Sequence, residues 1–119
     1  MPIFAIAEAA HLQVLRLALD AASLRHQLIS ANIAHASNPE WQPRKLDFEE
    51  SLQAVLARGA PTAASLADAR PRVLDDPAGG ALDTQMLALS RNVIHYQALL
   101  KASDAGMELL SLASSDGRR

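Results

Sequence analysis

The sequence predicts an all-α fold in which two long terminal helices pair as an antiparallel coiled-coil hairpin. Of the 119 residues, 50% are apolar but only 3% are aromatic, so Ala and Leu supply most of the apolar surface. This composition favours long helices with narrow apolar seams over a thick globular core. Two segments near the ends share a seven-residue apolar period, and a stretch rich in Pro and Gly separates them.

The first long helix is predicted over residues 3–36, which contain neither Gly nor Pro. Apolar residues recur there in alternating steps of three and four, which is the period of a coiled-coil seam: Ala7, Ala10, Val14, Leu17, Ala21, Leu24, Leu28 and Ala31. A second apolar edge follows the same helix: Leu12, Leu15, Leu19, Ala22, Ile29 and Ile33. We expect the seam to pair with the other long helix and the second edge to remain available to partners.

The middle of the chain begins with a predicted loop, residues 37–46, because its two prolines disfavour a helical conformation in the residues before them. Asp47 and Glu50 have the spacing of a capping box, which predicts a short helix over residues 47–58. Gly59 suits the C-terminal end of that helix.

The second half of the chain is predicted to hold an irregular connection and then another long helix. Residues 60–81 contain three prolines and a Gly-Gly pair, so we expect a flexible or partner-ordered connection. The second long helix is predicted over residues 82–113, and together the elements form one domain over residues 1–119. Its seam repeats in the same alternating steps: Met86, Leu89, Val93, Tyr96, Leu100, Ser103, Met107 and Leu110.

Charge and motifs favour a structural protein over an enzyme. The net charge is −2 with acids and bases mixed, which gives no basic stripe for nucleic acid. The chain has no Cys, no Gly-rich phosphate loop and no nucleophile elbow. Glu8 and His11 have the E-x-x-H spacing of di-iron helical bundles, but the second copy that such sites need is missing. We predict no catalytic residue, no metal site, no cofactor and no small-molecule substrate.

A surplus apolar edge on a two-helix protein indicates an interface with other chains. Asn32 is either a helix-terminal polar residue or the source of an inter-subunit or loop-fixing hydrogen bond. Trp41 either covers the end of the hairpin or anchors in a neighbouring subunit. The residues predicted to form the assembly interface lie on the helix seams and in the loop: Val14, Leu17, Leu24, Leu28, Asn32, Trp41, Val93, Tyr96, Gln97, Leu100 and Met107.

Two segments resemble flagellar rod and hook proteins. From Ser30 to Phe48 the sequence contains an Asn-Ile-Ala stretch, a turn with an aromatic residue, basic residues and Leu-Asp-Phe, in the order of that group's signature. Residues 91–100, RNVIHYQALL, are similar to the group's Asn-x-x-x-Tyr-Gln-Ala-Leu stretch. The Leu-Asp-Phe ending and the short chain most resemble the flagellar basal-body rod protein B family. The sequence departs from the family pattern at residues 35–37 and at Glu40, where Gly is usual.

This resemblance implies a structural subunit of the proximal rod, assembled through its terminal helices into the axial tube that serves bacterial motility. It implies self-association in a helical assembly, with other flagellar rod proteins, the rod adaptor, and membrane-ring and export-gate proteins as partners. It also implies a location in the flagellar basal body after type III export without a cleaved signal peptide. The residues themselves leave open a soluble helical adaptor or export chaperone that binds one helical partner. A ferritin-like metal enzyme is a third hypothesis.

Overall fold

The computed structural model describes residues 2–116, without the side chains of residues 2–8, 113 and 116. Helices α1 and α4 pack along each other in a molecule that measures 64 × 26 × 15 Å. The elements follow in this order: α1 Pro2–Ala34, strand β1 Arg44–Asp47, α2 Glu49–Leu56, α3 Ala63–Leu66 with a 3₁₀ turn Ala67–Ala69, strand β2 Arg72–Asp75, and α4 Leu82–Asp116.

The two long helices run antiparallel. Contacts join the start of α1 to the end of α4 and the end of α1 to the start of α4: Leu12 with Gly106, Ala22 with Asn92, and Asn32 with Gln85. The approach is close at Gly106, where a Cβ atom would lie 2.8 Å from Cδ2 of Leu12. A glycine at this position therefore lets the two helices come close together.

The all-α prediction is wrong, because β1 and β2 form a two-stranded antiparallel sheet. Strand β1 begins within the predicted loop 37–46, and β2 lies within the predicted irregular connection 60–81, which also contains α3 and the 3₁₀ turn. Each strand has only four residues. Such short strands show little of the period-two alternation that identifies a half-buried strand in a sequence, and their pairing is not local.

The two strands do share a sequence pattern that could have revealed their pairing. Pro-Arg-x-Leu-Asp occurs at residues 43–47 and again at residues 71–75. In the antiparallel register this pattern complements itself, because Arg44 lies opposite Asp75 and Asp47 lies opposite Arg72. Opposite charges thus face each other at both ends of the sheet, and the Arg72 guanidinium pairs with the Asp47 carboxylate at 3.0 Å.

The predicted capping box at Asp47 and Glu50 is also wrong. Asp47 is the last residue of β1, and the N-cap of α2 is Phe48, whose side chain makes no capping hydrogen bond. A capping box is found instead at α3, between Thr62 and Ser65. Helix α2 is consequently shorter at its N-terminus than the capping-box spacing predicts.

Residues 44–75, which we name the middle segment, fold back onto α1 and bury much of the predicted seam of that helix. Leu28 packs in a buried cluster with Leu46 of β1 and Phe48, and Leu24 packs against the same cluster. A second cluster around Val55, Leu66 and Ala69 is covered by Val14 and Leu17. The prediction that this seam pairs only with α4 is therefore wrong, because the middle segment covers much of it, although Leu99 of α4 also packs against the first cluster.

The second apolar edge of α1 faces α4 instead. Leu15, Ala22 and Ile29 on that edge are buried. The carbonyl oxygen of Ala22 accepts a hydrogen bond from α4, and Ile29 lies beside residues of α4 at a groove between the helices. Helix α1 thus contacts two different neighbours within one chain, each along its own apolar edge.

Phe48→Ala should strongly destabilise the fold, because Phe48 is 3% exposed at the centre of the first cluster. We expect a loss of about 3–5 kcal/mol in the free energy of unfolding, measured by urea denaturation followed by circular dichroism. Leu56→Ala is the matched control, because Leu56 is 41% exposed. Equal urea midpoints for the two variants would contradict this description of the core.

Candidate assembly interface

A hydrogen-bond network around Asn32 joins α1, the following loop, β1 and α4. Asn32 is 4% exposed. Its Nδ2 donates to the carbonyl oxygen of Arg44 at 2.8 Å and to Oε1 of Gln85 at 3.3 Å. Its Oδ1 accepts from Nε1 of Trp41 and from the backbone N–H of Arg44, both at 3.2 Å. Asn32 therefore fixes the loop, rather than serving as a plain helix-terminal residue.

Trp41 closes the network on the loop side. Its ring stacks on the imidazole of His35, with ring centroids 3.9 Å apart and planes 8° from parallel. The indole is half-buried and hydrogen-bonded to Asn32, so it covers this end of the helix pair. Whether Trp41 also contacts a neighbouring subunit stays a prediction.

Asn32→Ala should destabilise the fold by about 1–3 kcal/mol, because it leaves buried partners without hydrogen bonds. Trp41 is the single tryptophan, so its emission reports on this site directly. We expect a red shift of that emission in the native state as the indole loses its partner. Asn38→Ala is the control, because the Asn38 amide is exposed and bonds only within its own turn, to the backbone N–H of Glu40. Unchanged emission and stability in Asn32→Ala would contradict the role of the network.

Alternate members of the predicted α4 seam are turned away from α1, whereas Leu89, Ser103 and Leu110 of the same seam are half-buried. Met86, Val93, Leu100 and Met107, which we name the α4 row, are 54%, 41%, 41% and 54% exposed. The side facing α1 carries the residues immediately before them, again at seven-residue spacing: Gln85, Asn92, Leu99 and Gly106. Two of these are amides and one is Gly, so a search for apolar residues passes over them. The prediction that the whole seam pairs with α1 is therefore wrong for the four residues of the α4 row.

The α4 row is accompanied by a row on α1 at the same spacing. Leu12, Leu19, His26 and Ile33, which we name the α1 row, follow one another every seven residues. His26 of this row lines one groove together with Val93 and Leu100 of the α4 row, and Leu12 lies against Gly106. Leu12, Leu19 and Ile33 are half-buried and His26 is exposed.

On this side an open groove of about 420 Å³ lies between α1 and α4, and we name it the helix groove. It brings together four of the predicted interface residues: Val93, Tyr96, Gln97 and Leu100. Ala22, Ser23, His26 and Asn92 complete its lining. Val14, Leu17, Leu24 and Leu28 lie instead against the middle segment, as described above. The interface that the sequence predicts is therefore divided between an internal surface and this groove.

The opposite side of the helix pair is polar. Arg25 forms a two-pronged ion pair with the Glu49 carboxylate, at 2.6 and 2.7 Å, and donates to the carbonyl oxygen of Leu46 at 3.3 Å. A second, smaller groove of about 300 Å³ lies between the helices on this side, and Arg91 and His95 line it together with Arg25 and Glu49. The hydrogen bond from Arg25 lowers the pKa of Glu49 below its ordinary value of 4.5. This ion pair fastens α2 to α1.

Glu49→Gln should make the free energy of unfolding depend less strongly on pH in the acid range. A lowered pKa in the folded state means that ionised Glu49 stabilises the fold above pH 4.5, and that this contribution is lost as the pH falls through the folded-state pKa. The carboxylate side chain is 55% exposed, so we expect a difference of at most about 1 kcal/mol. Urea denaturation at several acid pH values measures it. Glu50→Gln, on the same exposed helix turn, is the control, and identical pH profiles for the parent chain and Glu49→Gln would contradict the coupling.

Two further observations bear on the class of protein. Within residues 2–116, no helix combines the length and the apolar character that crossing a membrane requires. Over the side chains that are described, no group of three or more His, Asp or Glu residues is arranged to hold a metal ion. The side chain of Glu8 lies outside the described set, so the E-x-x-H pair is not tested.

The described part of the chain is an elongated helical pair with a largely apolar groove on one side. In comparison with known proteins, no family model matches the chain. A stretch of 42 residues is 43% identical to the flagellar basal body rod protein FlgB of Yersinia ruckeri. The match covers 35% of this chain and 31% of that relative, so the similarity is partial on both sides.

Proposed function

We propose that the chain is a structural subunit of the flagellar basal-body proximal rod, which assembles with other helical subunits through the helix groove and the α4 row. The partial similarity to a flagellar basal body rod protein supports the cellular setting. The exposed α4 row supports the mode of assembly, because four apolar side chains at heptad spacing on one helix face are suited to a partner helix. In this role the chain acts by packing and not by catalysis.

In this proposal one part of the fold holds the two long helices in place, and another part binds the partner. The middle segment and the Asn32 network hold α1 and α4 in one register. That register brings His26 of α1 and Val93 and Leu100 of α4 together in the helix groove. Burying the water-exposed parts of Val93 and Leu100 would contribute on the order of 1 kcal/mol each. A partner that covers the whole row therefore gains several kcal/mol before the cost of association.

The alternative function is a helical adaptor or export chaperone that binds one helical partner. It is favoured by the pairing of α1 with α4 within a single chain, which leaves the groove ready for one helix. Light scattering separates the two functions. A rod subunit should enter multi-copy assemblies with other rod proteins, whereas an adaptor should remain a monomer or dimer with one bound partner.

Leu100→Asp should abolish assembly while leaving the isolated chain folded. Leu100 is 41% exposed in the α4 row, so a carboxylate there stays hydrated in the monomer but would be buried without a partner charge in the assembly. The measurement is recovery of the variant in isolated basal bodies from cells that lack the parent chain, together with swimming motility. We expect little or no variant in the basal bodies and no swimming.

Ala98→Asp is the matched control, because Ala98 is exposed on the other side of the same helix. Circular dichroism of both purified variants confirms that each is folded. A charge at Leu24 is not a suitable test of assembly, since Leu24 packs against the first cluster. Normal motility and normal incorporation of Leu100→Asp would contradict the proposed assembly surface.

A further inference from the structure

The two edges of the β1–β2 sheet differ in where their backbone groups point and what covers them. Pro43 and Asp76 lie opposite each other in the register of the sheet, and the N–H of Asp76 donates to the carbonyl oxygen of Pro43 at 2.8 Å. Hydrogen-bonded and non-hydrogen-bonded pairs alternate along an antiparallel ladder. The even-numbered residues of β1 and the odd-numbered residues of β2 therefore direct their backbone groups away from the sheet.

Helix α1 covers the outer edge of β1. The side-chain amide of Asn32 bonds to both the N–H and the carbonyl oxygen of Arg44. Arg25 donates to the carbonyl oxygen of Leu46 at 3.3 Å. Because side chains of α1 occupy this edge, it is closed to a further strand.

The outer edge of β2 has no such cover. Strand β1 is the main neighbour of β2, and all four residues of β2 are exposed. In the described part of the chain, no backbone group from outside the sheet bonds to Val73 or Asp75, whose own groups point outward. The strand contains neither a Lys nor a bulge, which are common protections of an edge. Such an edge is a template for another strand.

We propose that β2 pairs antiparallel with β2 of a second copy of the chain, about a two-fold axis at Leu74. The pairing joins two sheets of two strands into one sheet of four. A two-fold contact of this kind closes on itself, whereas an axial tube needs head-to-tail contacts. The dimer is therefore a state of the chain outside the assembled rod, and the inference goes beyond the proposed function.

The prolines on both sides of β2 select this register. Pro71 and Pro77 are each three residues from Leu74, in the same odd-numbered series as Val73 and Asp75. Proline has no backbone N–H, so only Val73 and Asp75 supply donors to this edge between the prolines. With Leu74 on the axis, Val73 of each copy lies opposite Asp75 of the other, and all of these donors find carbonyl acceptors. A shift by two residues sets a donor opposite a proline.

The side chains fit the same register. Leu74 lies opposite Leu74 of the second copy, and it is 42% exposed in the single chain. Arg72 lies opposite Asp76 of the second copy, so opposite charges face each other on both sides of the axis. In either register shifted by two residues, Leu74 would lie opposite Arg72 or Asp76 instead. The chain already holds a similar pairing, since β1 carries the same Pro-Arg-x-Leu-Asp pattern and pairs antiparallel with β2.

Single-cysteine variants test the pairing in the full chain, which has no native cysteine. A standard stable interface is larger than one short strand from each copy, so covalent trapping suits this weak dimer. Leu74→Cys sets two thiols opposite each other in a non-hydrogen-bonded pair, with Cα atoms about 4.5 Å apart, within the range of a disulfide. Val73→Cys and Asp75→Cys set them on diagonals of about 7–8 Å, beyond that range.

Under mild oxidation we expect Leu74→Cys to form disulfide-linked dimers at least about tenfold faster than Val73→Cys or Asp75→Cys, because only its thiols are within bonding distance. Leu56→Cys gives the rate of random collision, because Leu56 is 41% exposed and lies outside the sheet. A maximum at residue 73 or 75, or no rate above that of Leu56→Cys, would overturn the inference.

A second substitution in the Leu74→Cys chain tests the backbone contacts. Val73→Pro removes an outward N–H that makes no bond to β1, so trapping should fall to the rate of Leu56→Cys. Val73→Thr keeps the N–H and the branched side chain, and trapping should be unchanged. Circular dichroism checks that each variant is folded, and the cysteine scan alone decides if Val73→Pro is not.

Leu100→Asp in the same Leu74→Cys chain separates this contact from the proposed assembly surface. Leu100 lies on α4, so trapping through β2 should not change even where Leu100→Asp prevents incorporation into basal bodies. Loss of trapping in this variant would assign the contact to the α4 row and overturn the inference. Failure of the basal-body experiment alone would leave the strand pairing intact.

Discussion

The side-chain amide of Asn32 is the point through which the separate parts of this small protein are held in one arrangement. Its two polar atoms bond to the loop at Trp41, to the backbone of β1 at Arg44 and to α4 at Gln85. Gln85 in turn donates to the carbonyl oxygen of Gly79, which ties down the turn before α4. Because the amide is buried, each lost bond would leave a desolvated polar group. The register of α1, β1 and α4 is thereby fixed at one end of the molecule.

That register decides which apolar surfaces are used inside the chain and which remain for partners. One edge of α1 is covered by the middle segment and the other by α4, so α1 contributes chiefly to folding. Helix α4 meets α1 through Gln85, Asn92 and Gly106 together with one large apolar residue, Leu99, and it keeps further apolar side chains on its outer face. The exposed face is therefore a consequence of how the helix pair closes, since small and amide residues occupy much of the contact.

The sequence predicts the two long helices more clearly than it predicts which face of each helix points inward. Seven-residue spacing predicts both helices, and it also predicts the α4 row as a coherent surface. It does not show which of two adjacent heptad positions points inward. Asn92 faces α1 because it donates a hydrogen bond there, and Gly106 faces α1 because it allows close approach. A pattern of apolar residues records neither of these reasons. Periodicity does not predict the sheet, because four-residue strands carry almost none. Only the repeated Pro-Arg-x-Leu-Asp pattern, read as charge complementarity between distant segments, indicates it.

Thiol labelling of single-cysteine variants tests the central claim, that the α4 row faces outward while the neighbouring heptad faces α1. The chain has no native cysteine, so each variant carries one reporter. With Val93→Cys, Leu100→Cys, Asn92→Cys and Leu99→Cys, the account predicts fast reaction at positions 93 and 100 and slow reaction at 92 and 99 under native conditions. The reverse order, with 93 and 100 protected and 92 and 99 reactive, would contradict it.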